Sequence, residues 1–304
     1  MKVLNFGSLN LDYVYEVEHF VRGGETISSR AMNVFCGGKG LNQSVALGRC
    51  GVRTCHAGAV GAEDGRMLLE MLTKAGVSTE FVEKKAVRTG HAVIQREAGG
   101  ENCILLYGGA NQTVEREQID RVFGHFAAGD FLILQNEISE IAYIMEKARE
   151  LGMKIVLNPS PMDEKIGGYP LECVDYFLLN EVEAAGICGL PLGDAGPDAG
   201  ESMIRIVREH FKNAVIVLTL GNRGALCMDG DRLYEQPAFP VSAVDTTAAG
   251  DTFTGYFIGG IVKGQKVDAA LRTAAAASAL AVSKPGAAPS IPAAEEVEAF
   301  LRTL

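Results

Sequence analysis

Two aspartates, Asp245 and Asp251, bracket a run of residues with almost no side chain in the segment AVDTTAAGDTFTGYF (243–257). After the strand-like PVSAV the chain passes through Thr246, Thr247, Ala248, Ala249 and Gly250. Asp251 then falls in the expected first turn of a helix running on toward Val262. Amides at a helix start have no partner within the helix, and the helix dipole adds partial positive charge at the same point. Residues 248 to 251 therefore read as an anion hole, left open by small side chains, on which a phosphate can rest directly. An aspartate beside such a hole has two readings. The plainer is a carboxylate that complements the dipole, worth ~0.3–1 kcal/mol in any protein. The sharper is a base that takes a proton from an attacking hydroxyl while Ala248, Ala249 and Gly250 hold the phosphoryl group, a role worth about 10²–10⁴-fold in rate. Both requirements meet within this one short segment, which favours the sharper reading.

A second glycine-rich segment, CGGKGLNQS (36–44), sets Gly37, Gly38 and Gly40 around Lys39 and opens the helical pattern LNQSVALGRCG. It reads either as a tight turn presenting amides, Lys39 and Asn42 to a polar ligand, or as an ordinary turn with a solvated lysine. Other site types fail on spelling. The P-loop pattern lacks its first glycine, because position 33 is Asn33, and GxGxxG, GxSxG and HExxH are all absent. His19, His56, His91, His125 and His210 form no close pair, so a zinc site is not expected.

These segments need a frame to bring them together. Short apolar, β-branched runs recur (KVLNFGS, FLILQNE, KIVLNPS, YFLLNE, AVIVLTLG), separated by helical patterns such as EIAYIMEKARELG (140–152) and GESMIRIVREHF (200–211). That alternation predicts an α/β fold: a three-layer αβα, doubly wound, mostly parallel sheet. Glu137, Asn158, Asn180 and Thr219 fall just past such runs, where open α/β sheets place their ligands. Any one of them would pass as a turn or cap residue; four together point to a shared cleft. Residues 12–35 and 88–109 lack helical periodicity and read as strands joined by the glycine turns RGGET and EAGGEN. They predict a small inserted β-sheet lid on a large domain made of residues 1–11, 36–87 and 110–304.

Bulk properties bound the partners. The 304 residues are 47% hydrophobic and 22% charged, enough for a large core, and the formal charge of -10 offers no basic field for nucleic acid. A small anionic ligand would then need local help from amides, a lysine or a metal ion. Seven cysteines, an odd number without a CxxC pair, predict free thiols in a reducing cytoplasm. MKVLNFGSLNLD lacks a signal-peptide core and TAAAASALAVS is too short and alanine-rich to span a bilayer, so no membrane association is expected.

The segments GGKGLNQSVALGRCG and VDTTAAGDTFTG resemble the two signature segments of the ribokinase-like (PfkB) sugar kinases. GSLNLD, LNEVEAAG and TLGNRGA resemble the family's landmarks between and around them, in the same order. The resemblance spans essentially the whole chain. It implies an ATP-dependent kinase acting on a primary hydroxyl of a small sugar, with D-ribose, phosphorylated at its 5-position, foremost. The alternatives are fructose or another ketose or pentose, a nucleoside or, outside the class, a sugar- or nucleotide-binding regulator without catalysis. It also implies roles for individual residues. Asn10, Asp12, Gly38, Lys39, Asn42 and Glu137 would hold the sugar, with Ala92 and Ile94 reaching down from the lid and Asp251 as general base. Asn180, Thr219, Gly221 and Gly250 would contact the nucleotide, and Glu183 would act indirectly on Mg2+. Asp245, Thr247, Gly286 and Ser290 match positions around an activating K+, although Pro285 departs from the family pattern there. Free edges of the lid strands leave room for a homodimer.

Overall fold

A computed structural model describes residues 1–99, 101–190 and 199–304; Gly100 of the EAGGEN turn lies outside them. Strands β1 (Val3–Phe6), β2 (Asn10–Glu16) and β3 (Ala31–Gly37) lead into helix α1 (Lys39–Arg49). Next come β4 (Thr54–Gly61), α2 (Arg66–Lys74), β5 (Ser78–Lys85), β6 (Gly90–Arg96) and β7 (Asn102–Tyr107). The middle of the chain supplies α3 (Arg116–Phe123), β8 (Phe131–Gln135), α4 (Ile141–Leu151), β9 (Lys154–Asn158), β10 (Tyr176–Asn180) and α5 (Glu181–Ile187). It closes with α6 (Ala199–His210), β11 (Val215–Thr219), the hairpin β12 (Ala225–Asp229) and β13 (Arg232–Gln236), then α7 (Ala249–Val262), α8 (Val267–Val282) and α9 (Ala294–Arg302).

Nine strands form one sheet in the order β13-β12-β11-β10-β9-β8-β1-β4-β5, parallel from β11 to β5, with the β12–β13 hairpin antiparallel at one edge. A parallel sheet covered on both faces needs apolar residues pointing both ways. Val3, Ile133, Val156 and Val217 pack with Leu41, Phe257 and Ala274 of α1, α7 and α8. Their chain neighbours Leu4, Leu132, Leu157 and Leu218 pack on the other face with Ile119, Ile144 and Ile204 of α3, α4 and α6. The two-residue period of the strands thus builds two cores and three layers. This is the doubly wound, mostly parallel architecture expected from the sequence.

The second sheet has the order β3-β2-β6-β7, with β2 and β6 parallel and the outer pairs antiparallel. It is the small separate lid. β7 is exposed along its whole length, because nothing among the described residues covers that edge. One expected strand is absent: residues 237–248 pair with no sheet. Pro240 cannot donate to a ladder. The amides of Val244 and Asp245 donate instead to the Val282 carbonyl at the end of α8, at 2.7 and 3.2 Å.

Candidate active site

Helix α7 begins as its sequence dictates, with Asp251 in its first turn. Ala248 caps it in the left-handed region at φ 61°, a conformation costly for a residue with a side chain and therefore a local strain. Not all the expected orphan amides are free. The Ala249 N–H donates to the Thr246 carbonyl at 3.2 Å, which tightens the turn into the helix. Among the described residues the amides of Ala248, Gly250 and Asp251 have no protein partner. A β-carbon placed on Gly250 would meet nothing within 4 Å. That open space belongs to a polar cavity of about 240 Å³ lined by Lys39, Asn158, Asn180, Glu183, Thr219, Gly250 and Asp251. Beside it lies a cavity of about 480 Å³ that shares Thr219, Thr246, Ala249 and Gly250 and is otherwise walled by Gly221, Phe239, Phe253, Ala275, Ala279 and Val282.

The other glycine-rich start serves a different purpose. Gly38 caps α1 at φ 93°, where a side chain would be strained. Added β-carbons at Gly40 and Gly7 would come within 2.4 Å of the Ser8 amide and 2.7 Å of the Gly40 α-carbon respectively. Here the backbone approaches its own chain, and α1 starts hard against the turn after β1. From that anchored start, the side-chain amides of Asn42 and Gln43 each donate to a different oxygen of the buried Asp251 carboxylate, both at 3.0 Å. Gly255 permits this: a β-carbon there would lie 2.4 Å from that of Ala46, so α7 rests directly on α1.

The expected sugar ligands come from the lid, the β1–β2 turn and the end of β8. Register pairs Asn10 with Gly90, Asp12 with Ala92 and Val14 with Ile94, which puts Asn10, Asp12, Ala92 and Ile94 on one face of the lid. Asp12 lies over Gly37, where a β-carbon would sit 1.9 Å from its carboxylate. Burial, with help from the neighbouring Glu137 charge, pushes the Asp12 carboxyl up to about 7. Glu137 accepts hydrogen bonds from the Lys39 amide at 3.0 Å and from the Ser8 hydroxyl, and burial raises it too. Burial alone would lower Lys39, but the charges of Asp251, Glu137 and Glu183 outweigh it and hold the ammonium above its ordinary range. One cation thus sits among three carboxylates.

The residues expected to contact the nucleotide are tied more tightly than the sequence suggests. Asn180 caps α5 and accepts from the Glu183 amide at 2.9 Å, while Glu183 closes the capping box onto the Asn180 amide at 3.0 Å. Glu183 also accepts from Asn158 at 3.2 Å, and burial raises its carboxyl. Its oxygens are already engaged, and no group of three His, Cys, Asp or Glu suited to a metal occurs among the described residues. This donor set fits Mg2+ only as an ion carried chiefly by phosphate oxygens and water, with Glu183 outside its direct ligands. Asp245 accepts from the amide and hydroxyl of Thr247 at 2.9 and 2.6 Å and from the Gly286 amide at 3.0 Å. Although burial opposes it, these bonds and the Arg96 charge hold its carboxyl below the usual range. The two loops expected around K+ are therefore joined, and their hard oxygens suit such a cation. The Ser290 hydroxyl donates to the Ala287 carbonyl at 2.8 Å, and its oxygen lone pairs remain open to a ligand. Thr219 donates to the Leu179 carbonyl at 3.2 Å at the boundary of both cavities, and Gly221 bends the wall of the larger at φ 59°.

Sequence reasoning overlooked three groups. Asn111 donates to Asn10 at 2.7 Å and exchanges hydrogen bonds with the Leu9 backbone, fixing the start of β2; GGANQT reads only as a turn. Gln43 was visible in the NQ pair but had no role. The apolar wall from Phe239 to Val282 carries no motif, because a slot of this kind needs only volume and small side chains.

A cleft that sets a strained, amide-rich helix start, a clamped carboxylate and a lysine beside an apolar slot is equipped for phosphoryl transfer. Comparison with known proteins agrees: the profile of the pfkB family of carbohydrate kinases matches residues 1–294, and the chain belongs to that family. Within it, the chain is similar to a ribokinase of Staphylococcus aureus, with 33% identity over 97% of this chain and 98% of the relative. It is 31% identical to a deoxyribokinase of Salmonella typhi over 99% of both chains. Its fold superposes with a TM-score of 0.84 on a ribokinase from Cryptococcus neoformans in complex with ADP, at 32% identity over 98% of this chain and 99% of the other.

Proposed function

We propose that this chain is an ATP-dependent kinase that phosphorylates D-ribose on its 5-hydroxyl. The observation that carries the chemistry is the Asp251 carboxylate, clamped by Asn42 and Gln43 at the mouth of three amides that have no partner among the described residues. The ribokinase likeness over nearly the full chain supports the sugar. Asp251 takes the proton of the attacking hydroxyl, and the amides of Ala248, Gly250 and Asp251 receive the charge on the transferred group. Lys39 reaches into the same cavity and balances the surrounding carboxylates. The base of the nucleotide occupies the apolar slot between Phe239 and Val282, with Thr219, Gly221 and Asn180 along its path. Asn10, Asp12, Gly38, Asn42 and Glu137 orient the sugar, and Ala92 and Ile94 close over it to exclude water. Mg2+, when bound with the nucleotide, neutralises phosphate charge, and K+ near Asp245, Thr247 and Gly286 would stiffen the loops beside the anion hole.

The test is ADP release over a panel of pentoses, hexoses and nucleosides, with and without K+. Ribose should give the highest kcat/KM and K+ should raise it. The deoxyribokinase likeness favours 2-deoxyribose as the second reading, and a preference for that sugar would replace the first. Sugar binding without any ADP release would point to a regulator.

The exposed Ile104, Leu105, Leu106 and Tyr107 of β7, with Met32 and Val34 of β3, would be covered in a homodimer formed through the lids. Leu105→Lys should shift the mass measured by light scattering toward the monomer. No helix among the described residues is long and apolar enough to cross a membrane, and all seven cysteines are free, which supports a place in the reducing cytoplasm.

A further inference from the structure

Behind Asp251 a line of buried polar side chains crosses from α1 through the central sheet. Gln43 uses both hydrogens of its side-chain amide, one to Asp251 at 3.0 Å and one to Asn158 at 3.2 Å. Its carbonyl oxygen accepts from Gln135 at 2.6 Å. Gln135 spends its other hydrogen on Asn5 at 3.0 Å. Asn5 in turn donates to the Gly40 carbonyl and to the Ser44 hydroxyl, both at 2.9 Å. Ser44 lies 2.8 Å from His56 Nδ1, and His56 Nε2 lies 3.1 Å from the Gly7 carbonyl. Asn5, Gln43, Ser44 and His56 are completely buried and Gln135 nearly so.

The direction of every bond follows from its far end. A carbonyl can only accept, so the neutral His56 ring donates to Gly7 from Nε2 and must accept from Ser44 at Nδ1. Burial keeps the ring neutral, lowering its pKa to about 4. Ser44 therefore has only an acceptor left for Asn5, Asn5 presents its oxygen to Gln135, and Gln135 presents its NH₂ to Gln43. Gln43 is left with a single orientation. Reversed, it would set its oxygen against the Asp251 and Asn158 oxygens and its NH₂ against that of Gln135, three repulsions in a buried site. Among the described residues the Gln135 oxygen has no partner, a cost borne where its amide hydrogens are both held by Asn5 and Gln43.

We propose that Gln43 is a positioning residue for the catalytic base: the series Gly7, His56, Ser44, Asn5 and Gln135 locks its amide so that it can only donate to Asp251. This rests on the reading of Asp251 as the base. The lock fixes the plane of the carboxylate, so that its remaining lone pairs face the acceptor hydroxyl. Other charged groups near Asp251 are Lys39 of α1, Glu137 beyond β8 and Glu183 of α5, and among the described residues none of these side chains hydrogen-bonds to the Gln43 side chain.

Gln135→Glu is the direct test, because it exchanges a donor for an acceptor without changing size. Gln43 should then turn its NH₂ toward the carboxylate introduced on β8 and its oxygen toward Asp251, disfavouring the ionised base. The acid limb of kcat against pH should rise by about one unit, with kcat below neutrality falling about tenfold and KM for sugar and nucleotide changing less than about threefold. Gln43→Met, which keeps the helix and removes the donor, should move the limb the same way. In that background Gln135→Glu should add only the smaller through-space effect of its own negative charge on Asp251. If Gln135→Glu does not fold, Gln135→Leu, which merely removes the donor, should give a smaller rise. An unmoved limb in the folded variants, or a full effect of Gln135→Glu on top of Gln43→Met, would overturn the proposal. Asp251→Asn, assayed in parallel, separates the two ideas: turnover retained there removes the base itself, whereas turnover lost there with an unmoved limb removes only the lock.

Discussion

The two glycine-rich helix starts look alike in sequence and differ in what their missing side chains make room for. At α1, the small residues let the helix pack against its own chain: β-carbons on Gly7, Gly38 or Gly40 would meet backbone at 3.0 Å or less. At α7, Gly250 faces open space within a polar cavity. One start is therefore a hinge pin that fixes Lys39, Asn42 and Gln43, and the other is a socket. The lesson is that absent side chains alone do not reveal a ligand site; what matters is whether the space they leave is already occupied.

Substitutions can break that contrast in graded fashion. Asp251→Asn, which removes the proposed base and preserves the shape of the socket, should lower kcat about 10²–10⁴-fold while sugar affinity by calorimetry stays within a few-fold. Gly250→Ala puts a methyl where phosphate is expected. It should cost about 10²-fold in kcat/KM, yet leave Tm unchanged or slightly raised, because alanine is the better helix former. Gly40→Ala should do the reverse, losing roughly 1–3 kcal/mol of stability in a urea titration through overpacking against Ser8. If Gly250→Ala proved the more destabilising of the two, the contrast would collapse.

The smallest effect belongs to the lid. Since the Asp12 carboxyl lies at about 7 when folded, the folded chain keeps a proton that the unfolded chain has released between its ordinary value and that point. Stability from this residue therefore falls as pH rises from about 4 to about 7. Asp12→Asn should flatten that slope, seen as a gain of a few degrees in Tm at pH 7 relative to the parent and little change at pH 4.

Much of this was readable from residue order. The apolar runs fell on β1, β8, β9, β10 and β11 because strands buried on both faces have no other composition to use. Asp251 in the first turn of α7 followed from the small residues ahead of it. PVSAV misled, since its β-branched residues outweighed the proline that denies it a ladder. The Ala249 amide was counted as free because a turn's internal bond leaves no mark in spelling. Asn5, Ser44, His56 and Gln135 could not be joined in advance: they lie on three strands and a helix, up to 130 residues apart along a single bond, and each alone reads as an ordinary interior polar residue.

The contact at Gly255 has an evolutionary corollary. With 2.4 Å available between a β-carbon there and that of Ala46, the two positions share one methyl-sized volume. Relatives with alanine at the first should carry glycine at the second, and in this chain Ala46→Gly should restore what Gly255→Ala removes.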